Sequence, residues 1–212
     1  MILQFLIYIL IKIIKEIFGG LSIERTGLNK LINVTRVKSL CEIPKLEPFC
    51  NNLGRLSTIM DLDGVLCESG KNNTPHVNIE KLVALRRIAI NSDTITFDSS
   101  RMRTKRKSRP EDGNVVYYPF FNKESEGFLK YIIGRSNPNC RVDFIMGFLN
   151  KQINKGVEER DQLIKENLKQ GRKVVFIGSS RNDIRVAQKT TENIDESLKK
   201  RIYVFNTGHW II

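Results

Sequence analysis

Apolar and polar positions between residues 56 and 206 follow two periods in turn, which predicts strands that alternate with helices. Short apolar runs predict buried strands, and apolar residues spaced three and four apart predict amphipathic helices. The predicted strands are residues 56–60, 94–97, 141–149, 173–178 and 201–206, and the predicted helices are residues 78–90, 122–133, 157–170 and 181–194. Such alternation is typical of the α/β class, in which helices cover both faces of a parallel sheet.

The most apolar stretch is residues 1–18, with the sequence MILQFLIYILIKIIKEIF. On a helix its polar residues form one narrow stripe, because they recur at steps of three and four. The stretch is slightly short for a membrane-spanning helix and contains Lys12, Lys15 and Glu16. A helix in a membrane interface, a tilted membrane span and a helix packed on protein therefore all stay open.

Composition divides the chain into three parts. Residues 1–20 are an apolar N-terminal helix, which Gly19 and Gly20 end. Residues 21–55 are a basic segment, which we interpret as a linker with short helices. Residues 56–212 hold the alternating pattern and are expected to form one α/β domain.

The charge balance is strongly basic, with 35 Lys and Arg against 23 Asp and Glu and a formal net charge of +12. Such an excess favours anionic partners, namely nucleic acid, an anionic membrane surface or a phosphorylated substrate. Hydrophobic residues make up 41% of the chain, which is typical of globular proteins and excludes wholesale disorder.

The four cysteines show no two-residue spacing of the kind that zinc sites use, and the chain has only two histidines. We therefore expect no zinc site. A reduced, cytoplasmic setting fits this cysteine usage, and a disulfide between Cys41 and Cys50 stays open.

Residues able to carry chemistry stand next to several predicted strands and helices. Because ligands of parallel sheets bind at the carboxyl ends of the strands, these residues are expected to share one pocket. They are Asp61 and Asp63 after the first strand, Ser99 after the second, Lys155 before the helix at 157, and Asp183 after the strand 173–178.

A carboxylate at this edge can attack phosphorus and form an acyl phosphate, which is the role expected of Asp61. Asp63 would act as general acid and base, since Gly64 permits the turn that brings it to the same pocket. The attacking carboxylate and the phosphate are both anions and repel each other, so a divalent cation is expected between them. Mg²⁺ prefers carboxylates, water and phosphate oxygens, and its ligands would be Asp61, Asp63 and Asp183.

Two assignments keep alternatives. Ser99 and Lys155 would hold the phosphoryl oxygens, but Lys151 competes with Lys155 for that role. Asp183 has a second interpretation, in which its charge favours the N-terminus of the helix that follows.

Four segments together resemble the signature motifs of the haloacid dehalogenase-like (HAD) superfamily, over about residues 56–206. STIMDLDGVL resembles the first motif, FDSSR the second, NKGVEERDQLIKEN the third and VVFIGSSRNDI the fourth. The resemblance implies a Rossmann-like three-layer core, Mg²⁺ and an aspartyl-phosphate intermediate at Asp61. An acid two residues after the nucleophile marks the phosphatases and phosphomutases of that family, as opposed to its dehalogenases, and Asp63 supplies it.

One residue departs from the family pattern. The first acid of the fourth motif, usually a metal ligand, is Ser179 here. The loss of a carboxylate weakens Mg²⁺ binding, so a degenerate, non-catalytic HAD-like binding protein stays open beside an active phosphatase.

The spacing of the motifs leaves no room for a large cap domain, and cap-poor members of the family tend to act on large substrates. The segment 101–109 holds six cations and should lie at the rim of the site, where it would steer polyanions. We expect the following residues to contact substrate: Ser100, Arg101, Arg103, Ser179 and Asn182.

The expected activity is Mg²⁺-dependent hydrolysis of a phosphomonoester on a large or membrane-held anion, such as a nucleic-acid end or a phospholipid head group. A small-molecule phosphatase is a further alternative. The expected location is cytoplasmic, with residues 1–18 as a candidate membrane attachment. The sequence predicts no oligomeric state.

Overall fold

A computed structural model describes residues 34–51, 55–67, 77–99, 123–146, 153–192 and 194–208, without the side chains of residues 146, 153–157, 159, 181 and 182. The apolar stretch 1–18 and the basic segment 101–109 lie outside these ranges. So do residues 68–76 and 100–122, which bear on the expected absence of a cap.

Strands and helices alternate through the described residues. The strands are β1 (Val34–Arg36), β2 (Leu56–Asp61), β3 (Ser92–Ser99), β4 (Arg141–Met146), β5 (Lys173–Gly178) and β6 (Ile202–Asn206). The helices are a 3-10 helix (Leu40–Lys45) and the α-helices α1 (Ile79–Ile90), α2 (Lys123–Ser136), α3 (Ile153–Lys169), α4 (Arg181–Glu192) and α5 (Glu196–Lys199).

The six strands form one sheet in the order β1-β6-β5-β2-β3-β4, and every neighbouring pair is parallel. The chain runs outward from β2 through β3 to β4. It then crosses back to β5, on the other side of β2, and runs outward again through β6. The strand order therefore reverses at β2, and ligands of open α/β sheets bind beside the carboxyl end of such a strand.

Helices cover both faces of the sheet, as two separate groups of buried side chains show. On one face, Leu56 and Met60 of β2 pack with Leu85 and Ile88 of α1. On the other face, Ile59 of β2 packs in a group that includes side chains of α3 and α4. Successive side chains of a strand point to opposite faces, so β2 contributes to both groups. The predicted α/β class with a parallel sheet is confirmed.

Residues 34–51 belong to this fold, although the sequence suggested a linker there. Val34–Arg36 pairs with β6, and Leu40, Ile43 and Phe49 are buried in the same group as α1. A strand of three residues is too short to show a period, and the burial of Leu40 and Ile43 depends on packing against α1, which a pattern of six residues does not report.

The predicted elements agree with the observed ones, with differences at their ends. Helix α3 begins at Ile153, four residues before the predicted start, and α2 extends to Ser136. Helix α1 begins at Ile79, one residue after the predicted start, because Asn78 is its N-cap and its side chain accepts a hydrogen bond from the Lys81 amide at 2.8 Å. Within the described ranges, no helix combines the length and apolar character that a membrane crossing requires.

Candidate active site

A tight turn follows β2 and brings Asp61 and Asp63 together. Gly64 adopts a positive φ of 78°, which suits glycine, and its amide donates to the Cys67 carbonyl at 2.8 Å. The Asp63 amide donates to Asp61 Oδ1 at 3.3 Å. The buried side chain of Leu62 lies between the two acids in sequence, so both can lie at the carboxyl edge.

The end of β3 lies beside this turn. Asp98 pairs in register with Asp61, and the Leu62 amide donates to the Asp98 carbonyl at 3.2 Å. One residue later, Ser99 Oγ donates to Asp63 Oδ2 at 3.3 Å. The structure therefore brings Ser99 to Asp63, as expected from the strand-end rule. Ser100, Arg101 and Arg103 follow directly in sequence and lie outside the described residues.

The end of β5 closes the other side of the site. Ser179 Oγ lies 3.0 Å from Asp61 Oδ2 and 2.7 Å from the Asp63 carbonyl oxygen. Its single proton serves these two acceptors, which converge on the hydroxyl. Ser179 thus stands next to the proposed nucleophile, at the position where the HAD pattern has an acid.

Asp183 lies in the first turn of α4 and forms a capping box with Ser180. Asp183 Oδ2 accepts hydrogen bonds from the Ser180 amide at 2.9 Å and from Ser180 Oγ at 2.7 Å, and the Asp183 amide donates to Ser180 Oγ at 3.2 Å. This reciprocal pattern satisfies amides at the start of a helix. The helix-terminal role that the sequence left open for Asp183 is therefore present, and it does not exclude a metal.

The remaining expected residues lie in helices. Lys155 lies in the first turn of α3 and Asn182 in the first turn of α4, but their side chains are outside the described set. Lys151 is also outside it, so the choice between the two lysines stays a prediction.

Two residues that the sequence did not single out join the site. Asp98 is 3% exposed and forms an ion pair with Arg160 of α3, which is 16% exposed. Asp98 could have been found by the same strand-end rule, because it ends an apolar strand. Arg160 gave no signal, since it is one of 35 cations and its helix position alone does not show what it faces.

The carboxylates of the site affect one another. The pKa of Asp61 is raised to about 8, chiefly by burial and further by the nearby charges of Asp183, Asp63 and Asp98, while the hydrogen bond from Ser179 lowers it. Burial alone would lower the pKa of Arg160, but Asp98, Asp183 and Asp61 outweigh it and raise that pKa. Negative charge therefore exceeds positive charge among these described residues.

The donors present suit a hard divalent cation. Among the residues that the structure describes, no three His, Cys, Asp or Glu side chains are grouped so as to hold a metal ion by themselves. Mg²⁺ commonly needs only one or two carboxylates, because it keeps waters and takes oxygens from a phosphorylated substrate. Asp61 Oδ2 and the Asp63 carbonyl oxygen both accept from the Ser179 hydroxyl, which a cation would have to displace to reach both oxygens, and the excess negative charge around Asp61 favours a cation.

Comparison of the chain with protein-family models, with curated proteins and with solved structures finds no match.

Proposed function

We propose that the chain is a HAD-like phosphohydrolase that removes a phosphoryl group through an aspartyl-phosphate at Asp61. One observation carries the proposal: Asp61 and Asp63 lie together at the carboxyl end of β2, where the strand order reverses, with Ser99 on Asp63. A carboxylate nucleophile beside a second carboxyl group is the minimum that this reaction requires.

The reaction has two steps. An oxygen of Asp61 attacks phosphorus, the bond from phosphorus to the leaving oxygen breaks, and the carboxyl group of Asp63 protonates that oxygen. Water then attacks phosphorus, Asp63 accepts its proton, and the acyl-phosphate bond breaks to release inorganic phosphate and Asp61. The hydrogen bond from Ser99 to Asp63 supports this role, because it orients the carboxyl group that transfers the proton.

The proposed cofactor is Mg²⁺, held by Asp61 and Asp63, with Asp183 as a further ligand. When bound, it supplies positive charge that offsets the repulsion between carboxylates and phosphoryl oxygens. Among the chain's own cations, Lys155 is the proposed contact to the phosphoryl group. Arg160 adds a second positive charge, held in place by Asp98.

The test is hydrolysis of p-nitrophenyl phosphate by the full chain, with and without Mg²⁺. We expect Mg²⁺-dependent turnover, and a loss of about three orders of magnitude or more in Asp61→Asn. Asp195→Asn is the matched control, because Asp195 is exposed and makes no side-chain cap hydrogen bond. Equal rates in Asp61→Asn and in the parent would refute the proposal.

A second candidate is a binding module that uses the same pocket without turnover. Ser179 favours this candidate, because its hydroxyl is hydrogen-bonded to Asp61 Oδ2 and to the Asp63 carbonyl oxygen. An acid at position 179 would instead supply a further metal ligand. A folded parent that lacks turnover, together with a Ser179→Asp variant that acquires it, would select this candidate.

The proposed substrate is a phosphomonoester on a large anion, held either in solution or at a membrane. The basic segment 101–109, which follows β3 in sequence, supports an anionic substrate. Rates with phosphorylated oligonucleotides and with phospholipid head groups, compared with small sugar phosphates, would choose among the substrate classes.

A further inference from the structure

Among the described residues, large exposed hydrophobic side chains occur on two helices only. In the described part of the chain all five lie on α1 or α2, and three are more than half exposed: Ile79 at 79%, Tyr131 at 63% and Ile90 at 58%. Single exposed hydrophobic residues are ordinary on protein surfaces, but a group of them on one face marks an interaction site. The full set is Ile79, Val83, Ile90, Phe128 and Tyr131.

These side chains share one outer face. Helix α1 buries Leu85 and Ile88 against the sheet, and Val83 and Ile90 fall on the opposite side of the helix. Helix α2 lies next to α1, since Arg86 Nε donates to Ser136 Oγ at 3.1 Å. We call the solvent-facing side of these two helices the α1–α2 face.

Exposed cations outnumber exposed acids on the two helices that carry this face. The exposed charged residues of the two helices are the cations Arg86, Arg87, Lys123, Lys130 and Arg135 and the acids Glu80 and Glu124. Both acids lie in the first turn of their helix, where they favour the helix dipole. The middle and the end of both helices therefore present apolar groups and positive charge together.

We propose that the α1–α2 face binds the surface of an anionic lipid bilayer. Ile79, Val83 and Phe128 would enter the boundary between head groups and acyl chains, and the arginines would pair with lipid phosphates. Apolar side chains and cations on the same face favour a lipid bilayer over nucleic acid. A nucleic-acid backbone would pair with the arginines but leave the aliphatic side chains in water. A second copy of the chain would bring equal positive charge against this face.

One end of the α1–α2 face lies near the candidate active site. Only Asn91 separates the end of α1 from the start of β3, so α1 runs back along the sheet, and its first residue, Ile79, lies toward the edge that holds Asp61. A bilayer on this face would thus adjoin the candidate active site. The binding proposal itself does not depend on chemistry at Asp61.

Hydroxyl-radical footprinting of the full chain tests the proposal residue by residue. The chain is labelled alone, with RNA, with vesicles of phosphatidylcholine, and with vesicles of phosphatidylcholine and phosphatidylserine. We expect labelling of Phe128 and Tyr131 to fall only with the anionic vesicles.

If the chain binds those vesicles while both residues keep their labelling, another part of the chain holds the lipid and the proposal is overturned. Protection without vesicles that grows with protein concentration would assign the face to a second copy, and protection by RNA would assign it to nucleic acid; either outcome overturns the proposal.

Charge-reversal variants supply a matched comparison. Arg87→Glu with Arg135→Glu should weaken binding to anionic vesicles about 30-fold, at roughly fivefold or more for each cation at the surface. Arg185→Glu with Lys189→Glu makes the same change in net charge on the exposed side of α4, which covers the other face of the sheet. Equal losses in both pairs would show an effect of net charge alone and overturn the assignment to this face.

Discussion

Gly178 is the last residue of β5, and a Cβ added there would lie 2.6 Å from the Cβ of Asp183. Non-bonded carbon atoms do not approach so closely, so Gly178→Ala must push α4 away from the end of the strand. We expect a loss of about 1–3 kcal/mol in the free energy of unfolding, measured with urea. Gly134→Ala in α2 is the control, because nothing lies within 4 Å of its added Cβ. Equal stabilities for the two variants would contradict the close approach.

Asp61 is expected to make the metal-free protein less stable as the pH rises. Its folded-state pKa of about 8 exceeds the ordinary value of 3.8, so between these values the native state holds a proton that the unfolded state has released. Stability from this group is complete below the lower value and is lost as the pH passes the higher one. Urea unfolding in a chelator should show that decline in the parent and a flatter profile in Asp61→Asn.

Adding Mg²⁺ should restore the stability that the protein loses as the pH rises. A cation that binds only the native state raises stability by mass action, and the gain should be largest at a pH where Asp61 would otherwise carry its charge among other carboxylates. Stability of Asp61→Asn should respond less to Mg²⁺. A response as large as that of the parent would place the cation elsewhere.

At the scale of an element, α4 depends on its first turn. Ser180→Ala removes the hydroxyl that accepts from the Asp183 amide, which should cost about 1 kcal/mol of stability. Ser197→Ala, at an exposed position of α5, should cost little. Asp183→Asn separates the two roles open for this residue: a cap alone predicts lower stability with unchanged Mg²⁺ dependence of turnover, and a metal ligand predicts that this dependence weakens as well.

The element scale also shows how far the sequence could predict the structure. Strands such as β5 were found because a fully apolar run reports burial on both faces. Asp61, Asp63 and Ser99 were found because they follow strands, and the parallel sheet puts strand ends together. Short helices were predicted between residues 21 and 55, but the burial of the 3-10 helix was not, because it depends on packing against α1. Arg160 escaped prediction because a helix period does not identify the partner of one cation.

At the scale of the whole molecule, the pair between Asp98 and Arg160 joins β3 to the helix through which the chain crosses the sheet. Asp98 is the second-last residue of β3, and Arg160 lies on α3, the helix through which the chain crosses from β4 back to β5. The pair is largely removed from water, so loss of one partner leaves a charge without its counter-ion. It therefore holds the crossover helix over the candidate active site.

Breaking this pair should be costly, and replacing it should cost less. Asp98→Asn or Arg160→Met should each lower the free energy of unfolding by about 3 kcal/mol, because a buried charge is left unpaired. The double variant should lose less than the sum of the two, since neither charge remains. Lys165→Met and Asp161→Asn repeat the cycle on a partly exposed pair of the same helix, where the coupling should be about 0.3–0.5 kcal/mol. A coupling for Asp98 and Arg160 no larger than that of the control pair would mean that solvent reaches the crossover and that α3 is not held at β3.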